Sequence, residues 1–89
     1  MNKQYRILIY TSNNCAFCNS AKELLINKKL KFEEINISEN VGLKEEMVKK
    51  TNGLMTVPQI FINGEHIGGC DDLYALEQEG KLDLKLSIN

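Results

Sequence analysis

The sequence predicts an α/β domain, a four-stranded mixed sheet flanked by helices, with elements in the order β-α-β-α-β-β-α. Three observations carry that reading. Short apolar runs rich in β-formers alternate with stretches of helical periodicity over the first half of the chain. Asn63-Gly64 separates two further apolar runs and so marks a hairpin. At 89 residues, with 43% apolar against 26% charged, the chain has the core of one domain (residues 1–89) and no room for a second.

The first strand is predicted over Tyr5 to Tyr10, a nearly continuous apolar run of the kind covered on both faces. Thr11-Ser12-Asn13-Asn14 supplies turn and N-cap residues. From Cys15 to about Lys28 the apolar residues Phe17, Cys18, Ala21, Leu24 and Leu25 recur at helical spacing, and Lys28-Lys29 close the helix with the charge its dipole favours. Lys31 to Ile37 reads as a second strand. Ser38 and Asn40 are cap candidates for a helix from about Val41 to Thr51, with Glu45/Lys49 and Glu46/Lys50 spaced as ion pairs on an outer face. Asn52-Gly53 ends it.

Gln59 to Ile62, Asn63-Gly64 and Glu65 to Ile67 then form a hairpin with a type I′ turn. Asp71 is expected to cap a helix running to about Glu79, and Leu82, Leu84 and Leu86 fit either a last helix or an extended tail. Two strand–helix–strand units predict a parallel first portion, with the hairpin adding an antiparallel pair. Chemistry is expected where the first strand gives way to the first helix.

Eleven Lys and Arg against twelve Asp and Glu leave a net charge of −1, without the basic excess that draws a protein to nucleic acid. The run Ile7-Leu8-Ile9-Tyr10 falls far short of the ~20 residues that cross a bilayer, and of a signal-peptide core. Three cysteines are a poor disulfide framework for a secreted domain. The expectation is a cytoplasmic protein with neither nucleic-acid nor membrane partners.

Cys15 and Cys18 form a C-x-x-C pair at the start of the first helix, where residues three apart are neighbours and a disulfide is within reach. Unpaired N–H groups and the positive end of the dipole favour thiolate there, and cysteines so placed have pKa values of roughly 3.5–7.5 against about 8.5 when free. Cys15, outermost and beside Asn14, is expected to be the exposed nucleophile; Cys18, one turn on and facing inward, is placed to resolve a mixed disulfide. A zinc site is the competing reading, since Cys15, Cys18, His66 and Cys70 are a legal ligand set. His66 otherwise reads as an exposed strand residue.

Pro58 opens the third strand, a position a proline tolerates. A cis Val57–Pro58 bond would turn the Val57 backbone outward to pair with an extended ligand, although a plain strand-start proline fits the same residues. Gly68-Gly69-Cys70-Asp71-Asp72 is a turn into a helix that offers N–H groups to a carboxylate beside acidic side chains for an ammonium. An amino-acid end carries both groups; an ordinary helix start explains the segment equally well.

Taken together, these residues resemble the glutaredoxins, most closely the short bacterial dithiol type. The likeness rests on Tyr10-Thr11, Cys15-Ala16-Phe17-Cys18, Thr56-Val57-Pro58-Gln59-Ile60-Phe61-Ile62-Asn63-Gly64 and His66-Ile67-Gly68-Gly69-Cys70-Asp71-Asp72-Leu73, in the family's order and spacing from about Arg6 to Leu84. It implies a thioredoxin fold and a monomeric, glutathione-dependent thiol–disulfide oxidoreductase acting on glutathionylated or disulfide-bonded proteins. Cys15 would attack the substrate, and a second glutathione or Cys18 would release the mixed disulfide. Val57 would pair through its backbone with glutathione beside a cis Pro58. Gly69, Cys70 and Asp71 would take its γ-glutamyl end, Phe17 and Thr56 would border the groove, and Lys49 would reach the glycine carboxylate.

Two departures matter. Ser12 stands where the family usually has a lysine, which removes a cation that favours the thiolate. Ala16-Phe17 replaces the common Pro-Tyr, and some family members with a small residue there bridge two chains through a [2Fe–2S] cluster, so cluster carriage is the alternative function. Cys70 is extra to the mechanism and is expected to be a packing residue.

Overall fold

A computed structural model describes residues 5–87. Four strands, β1 (Ile7–Thr11), β2 (Glu33–Asn36), β3 (Gln59–Ile62) and β4 (Glu65–Gly68), form one sheet in the order β2-β1-β3-β4. The helices are α1 (Ala16–Asn27), α2 (Val41–Lys50), α3 (Cys70–Gln78) and α4 (Leu82–Leu86), with a 3-10 turn at Ile37–Glu39 between β2 and α2. The predicted order is recovered, with a short final helix added. The mixed four-stranded sheet with flanking helices is the thioredoxin fold.

β2 runs parallel to β1, with Tyr10 opposite Ile35. β3 does not continue that pattern: it runs antiparallel to β1, with Tyr10 opposite Gln59. The expected second parallel unit is thus corrected. The irregular stretch 51–58 is long enough to carry the chain to the sheet end where β1 finishes, so β3 starts there and runs back. β4 returns antiparallel to β3, with Ile60 opposite Gly68. In consequence the end of β1, the start of β3 and the end of β4 share one edge of the sheet, which is how segments some forty residues apart come to meet.

Alternation along the strands divides the core. Ile7, Ile9, Ile60 and Ile62 pack with Ala21 and Leu25 of α1, Leu73 of α3 and Leu82 and Leu86 of α4. Tyr10 and Phe61 face the other way, onto Met47 of α2. The ambiguous Leu82-Leu84-Leu86 segment is a helix because burying Leu82 and Leu86, four apart, serves the core, while Leu84 is 71% exposed.

Turn chemistry follows the sequence where glycine or asparagine dictates it. Asn63 (φ 51°) and Gly64 (φ 84°) give the two positive dihedrals of a type I′ turn, and Asn52-Gly53 ends α2 with φ of 60° and 110°. Asn40 caps α2 by accepting the Gly42 N–H at 2.8 Å, whereas Ser38 sits in the 3-10 turn and accepts the Asn13 N–H at 3.0 Å.

Two surface charges do more than the sequence suggests. Glu46 and Lys50 are exposed, as an outer face requires, yet both also reach the sheet: Glu46 accepts the Tyr10 hydroxyl at 2.5 Å, and Lys50 Nζ lies 4.9 Å from the Phe61 ring centre. Burial and the Glu46 carboxylate push the Tyr10 phenol well above its ordinary pKa. Lys28 reaches Glu77 of α3 at 3.0 Å and Asp83 of α4 at 3.2 Å, so it ties three helices together rather than only facing a dipole.

Candidate active site

Cys15 follows the end of β1 and is itself the N-cap of α1, a role expected of Ser12, Asn13 or Asn14. Its extended backbone (φ −115°, ψ 105°) lets Sγ accept the Cys18 N–H at 3.1 Å, so sulfur replaces the usual cap oxygen. Negative charge on that sulfur is favoured by the same unpaired N–H groups that would otherwise call for a Ser or Asp side chain. Cys15 is half-buried rather than fully exposed as expected. Cys18 is 1% exposed and is joined to Cys15 by a disulfide, with a Cα–Cα distance of 5.2 Å. The expected division into an outer and an inner cysteine stands.

Opposite the disulfide, the Val57–Pro58 bond is cis, and the Val57 carbonyl oxygen lies 4.0 Å from Cys15 Sγ. Pro58 is buried at the start of β3. Beyond it a depression of about 290 Å³ is lined by Phe17, Leu54, Thr56, Gln59, Gly68, Gly69, Cys70, Asp71 and Asp72. Phe17 stands 65% exposed at its rim. The fold therefore brings Phe17, Thr56, Gly69, Cys70 and Asp71 together, as the sequence proposed. Lys49 lies elsewhere, along a separate hollow of α2 with Gly42, Glu45, Glu46 and Lys50.

The wall formed by Gly69 to Asp71 depends on Gly68. Its φ of +125° is open to glycine alone, and a Cβ there would collide with the Asp72 carboxylate. That carboxylate accepts the Gly69 N–H at 3.0 Å and closes the N-terminus of α3. Asp72, not Asp71, thus does the capping; helix α3 starts at Cys70, one residue before the expected cap, and exposed Asp71 sits in its first turn. Cys70, 8% exposed, packs in the core with Leu73. Burial, helped by Asp71, pushes its thiol pKa up, the opposite of what a nucleophile needs.

His66 departs from expectation. It is half-buried, its ring centre 5.0 Å from that of Phe61, and its Nε2 lies 2.7 Å from Gln59 Oε1. Among the described residues, no three His, Cys, Asp or Glu side chains gather as metal ligands do. Gln59 read in the sequence as an ordinary strand residue. It is 3% exposed, and its amide nitrogen donates to the Thr56 carbonyl (3.1 Å) and hydroxyl (3.2 Å). The available signal was positional, because Gln59 and Phe61 share a face and His66 pairs with Phe61 across the hairpin.

A disulfide that caps a helix, with one sulfur accessible and the other sealed, can open to two thiols and close again without disturbing the sheet beneath it. That chemistry on this fold defines a thioredoxin-fold thiol–disulfide oxidoreductase. Comparison with known proteins narrows the class. Residues 7–67 match the family model described as Glutaredoxin. The chain is 53% identical over 75 residues to glutaredoxin 3 of Escherichia coli strain K12, covering 84% of this chain and 89% of that one. The solution structure of glutaredoxin from Brucella melitensis superposes with a TM-score of 0.83 at 46% identity, over 97% of this chain and 92% of that one. A buckwheat glutaredoxin–glutathione complex superposes with a TM-score of 0.83 at 25% identity, over 94% and 78%. The chain belongs to the glutaredoxin family.

Proposed function

We propose that this glutaredoxin draws its electrons from glutathione and reduces glutathione mixed disulfides and protein disulfides through Cys15. Cys15 thiolate attacks the glutathione sulfur of a mixed disulfide; the S–S bond breaks, the target's thiolate leaves and takes a proton, and Cys15 holds glutathione. A second glutathione thiolate attacks that glutathione sulfur, giving oxidised glutathione and restoring Cys15 thiolate. With a protein disulfide, Cys15 forms the mixed disulfide with the target, and Cys18 attacks Cys15 Sγ to release the target as a dithiol. The Cys15–Cys18 disulfide then returns to the dithiol at the expense of two glutathiones.

The observation that carries this reading is the meeting of Cys15 Sγ with the Val57 carbonyl at 4.0 Å beside a depression walled by Gly69 to Asp71. Glutathione is an extended peptide whose γ-glutamyl end bears both a carboxylate and an ammonium. The Val57 backbone suits its cysteinyl amide, and the first turn of α3 with Asp71 suits its charged end. Phe17 and Thr56 border the groove, with the cis Pro58 beside Val57. Lys49, on α2, would reach the glycine carboxylate. The glutathione complex of the buckwheat relative supports the same ligand. The protein acts as a monomer in the cytoplasm, and among the described residues no helix is long and apolar enough to cross a membrane.

The test is glutathione-coupled reduction of a small glutathione mixed disulfide by the wild type and Cys15→Ser. Turnover in the wild type alone is expected; none in either protein would overturn the reading. A second reading, a [2Fe–2S] cluster shared by two copies with glutathione thiols completing the ligand set, draws on Ala16 opening α1 where the family's proline would stand. Only Cys15 offers an accessible sulfur, since Cys18 and Cys70 are buried. A colourless protein after anaerobic purification would sink that reading.

A further inference from the structure

We propose that Gln59 and His66 are positioning residues for the glutathione groove, a part-buried relay that fixes Thr56 and presents its hydroxyl as a hydrogen-bond donor. The inference rests on the glutathione reading above. The Thr56 carbonyl can only accept. The Gln59 group 3.1 Å from it must therefore be the NH2, whose second proton serves Thr56 Oγ1 at 3.2 Å. Oε1 of Gln59 consequently faces His66, so the ring nitrogen 2.7 Å away must carry a proton, which selects the Nε2–H form of His66.

The Gln59 amide nitrogen has no lone pair to accept, so the Thr56 hydroxyl proton must point away from it. Thr56 is exposed and lines the depression beside Phe17, Gly69, Cys70 and Asp71, and it directly precedes the Val57–Pro58 bond that faces Cys15. A donor held there meets a ligand carbonyl or carboxylate, and the turn leading to Val57 is tied to β3. The relay is costly to break in the middle, because Gln59 is 3% exposed and its amide oxygen depends on His66 for a donor. The Phe61 ring, 5.0 Å from His66, holds the imidazole in place from the hairpin.

Substitutions at His66 separate hydrogen bonding from packing. In His66→Gln the amide nitrogen falls where Nε2 was; in His66→Asn it falls nearer Nδ1 and misses Gln59; His66→Phe keeps a ring and loses the donor. KM for glutathione and kcat are measured separately on a small glutathione mixed disulfide, together with the melting curve of each variant. For His66→Asn, His66→Phe and Gln59→Leu, KM should rise roughly three- to tenfold, the range one net hydrogen bond commands, with kcat within about twofold. His66→Gln should return KM toward the wild-type value. Unchanged KM in folded His66→Asn and His66→Phe overturns the relay and leaves the glutathione reading standing. Equal effects of Gln and Asn at position 66 also overturn it, since packing would then be the cause. If Gln59→Leu does not fold, the His66 series decides alone. A wild type that glutathione cannot reduce overturns the glutathione reading, and the relay falls with it.

Discussion

Gly68→Ala tests whether the α3 wall of the groove is held as described. At φ +125° an alanine carries strain of about 1–3 kcal/mol. Its Cβ also drives the Asp72 carboxylate away from the Gly69 N–H, now 3.0 Å distant, which removes a hydrogen bond of about 0.5–1.5 kcal/mol. The two effects amount to about 2–4 kcal/mol, or a fall in Tm on the order of 10–30 °C for a chain of this size. Urea denaturation of the wild type, Gly68→Ala, Asp72→Ala and the double variant measures it. With Asp72 already gone the alanine should cost about 1 kcal/mol less, because only the backbone strain remains. A loss below about 0.5 kcal/mol, or strict additivity of the two substitutions, would refute the collision and the cap it is said to protect.

Other expectations follow from the packing and from the cysteines. Leu82→Ala should cost about 2–5 kcal/mol and Leu84→Ala under about 0.5, since Leu82 is fully buried and Leu84 is not; similar melting curves would contradict the helical α4. The Thr11 hydroxyl at 2.7 Å, and Lys22 at 3.0 Å, hold the Glu34 carboxyl below its ordinary 4.5. Its contribution to stability is therefore whole above that value and disappears as the pH falls through the lower native one. The gap in denaturant midpoint between wild type and Glu34→Gln should be whole at about pH 6 and narrow steadily as the pH is lowered below 4.5; a constant gap would contradict the assignment. Cys18→Ser should keep turnover of small glutathione mixed disulfides and lose reduction of protein disulfides, and equal loss of both would contradict its resolving role.

Local signals were legible because single residue types dictate them. Asn63-Gly64 leaves a type I′ turn as the ready solution, and Cys15-x-x-Cys18 after a buried strand places a redox pair on a helix start. What escaped depended on tertiary packing. The direction of β3 is set by where the 51–58 stretch delivers the chain, which no local pattern encodes. Leu82-Leu84-Leu86 satisfies both periods until the core chooses which leucines to bury. Glu46 and Lys50 sit exposed as their i,i+4 spacing implies, but that spacing does not show that they also reach Tyr10 and Phe61 of the sheet. The groove residues came from resemblance more than from spacing, Lys49 on α2 most of all, since nothing local ties it to the cysteines. Gln59 and His66 remained invisible as a pair because their partnership exists only once the hairpin register is known.

The central claim is that Cys15 alone takes up glutathione. Cys18→Ser, which cannot close the internal disulfide, is incubated with oxidised glutathione and analysed by peptide mass spectrometry. One glutathione per chain is expected, on the peptide carrying Cys15, with buried Cys70 unmodified. Glutathione found chiefly on Cys70, or on neither cysteine of the folded variant, would contradict it.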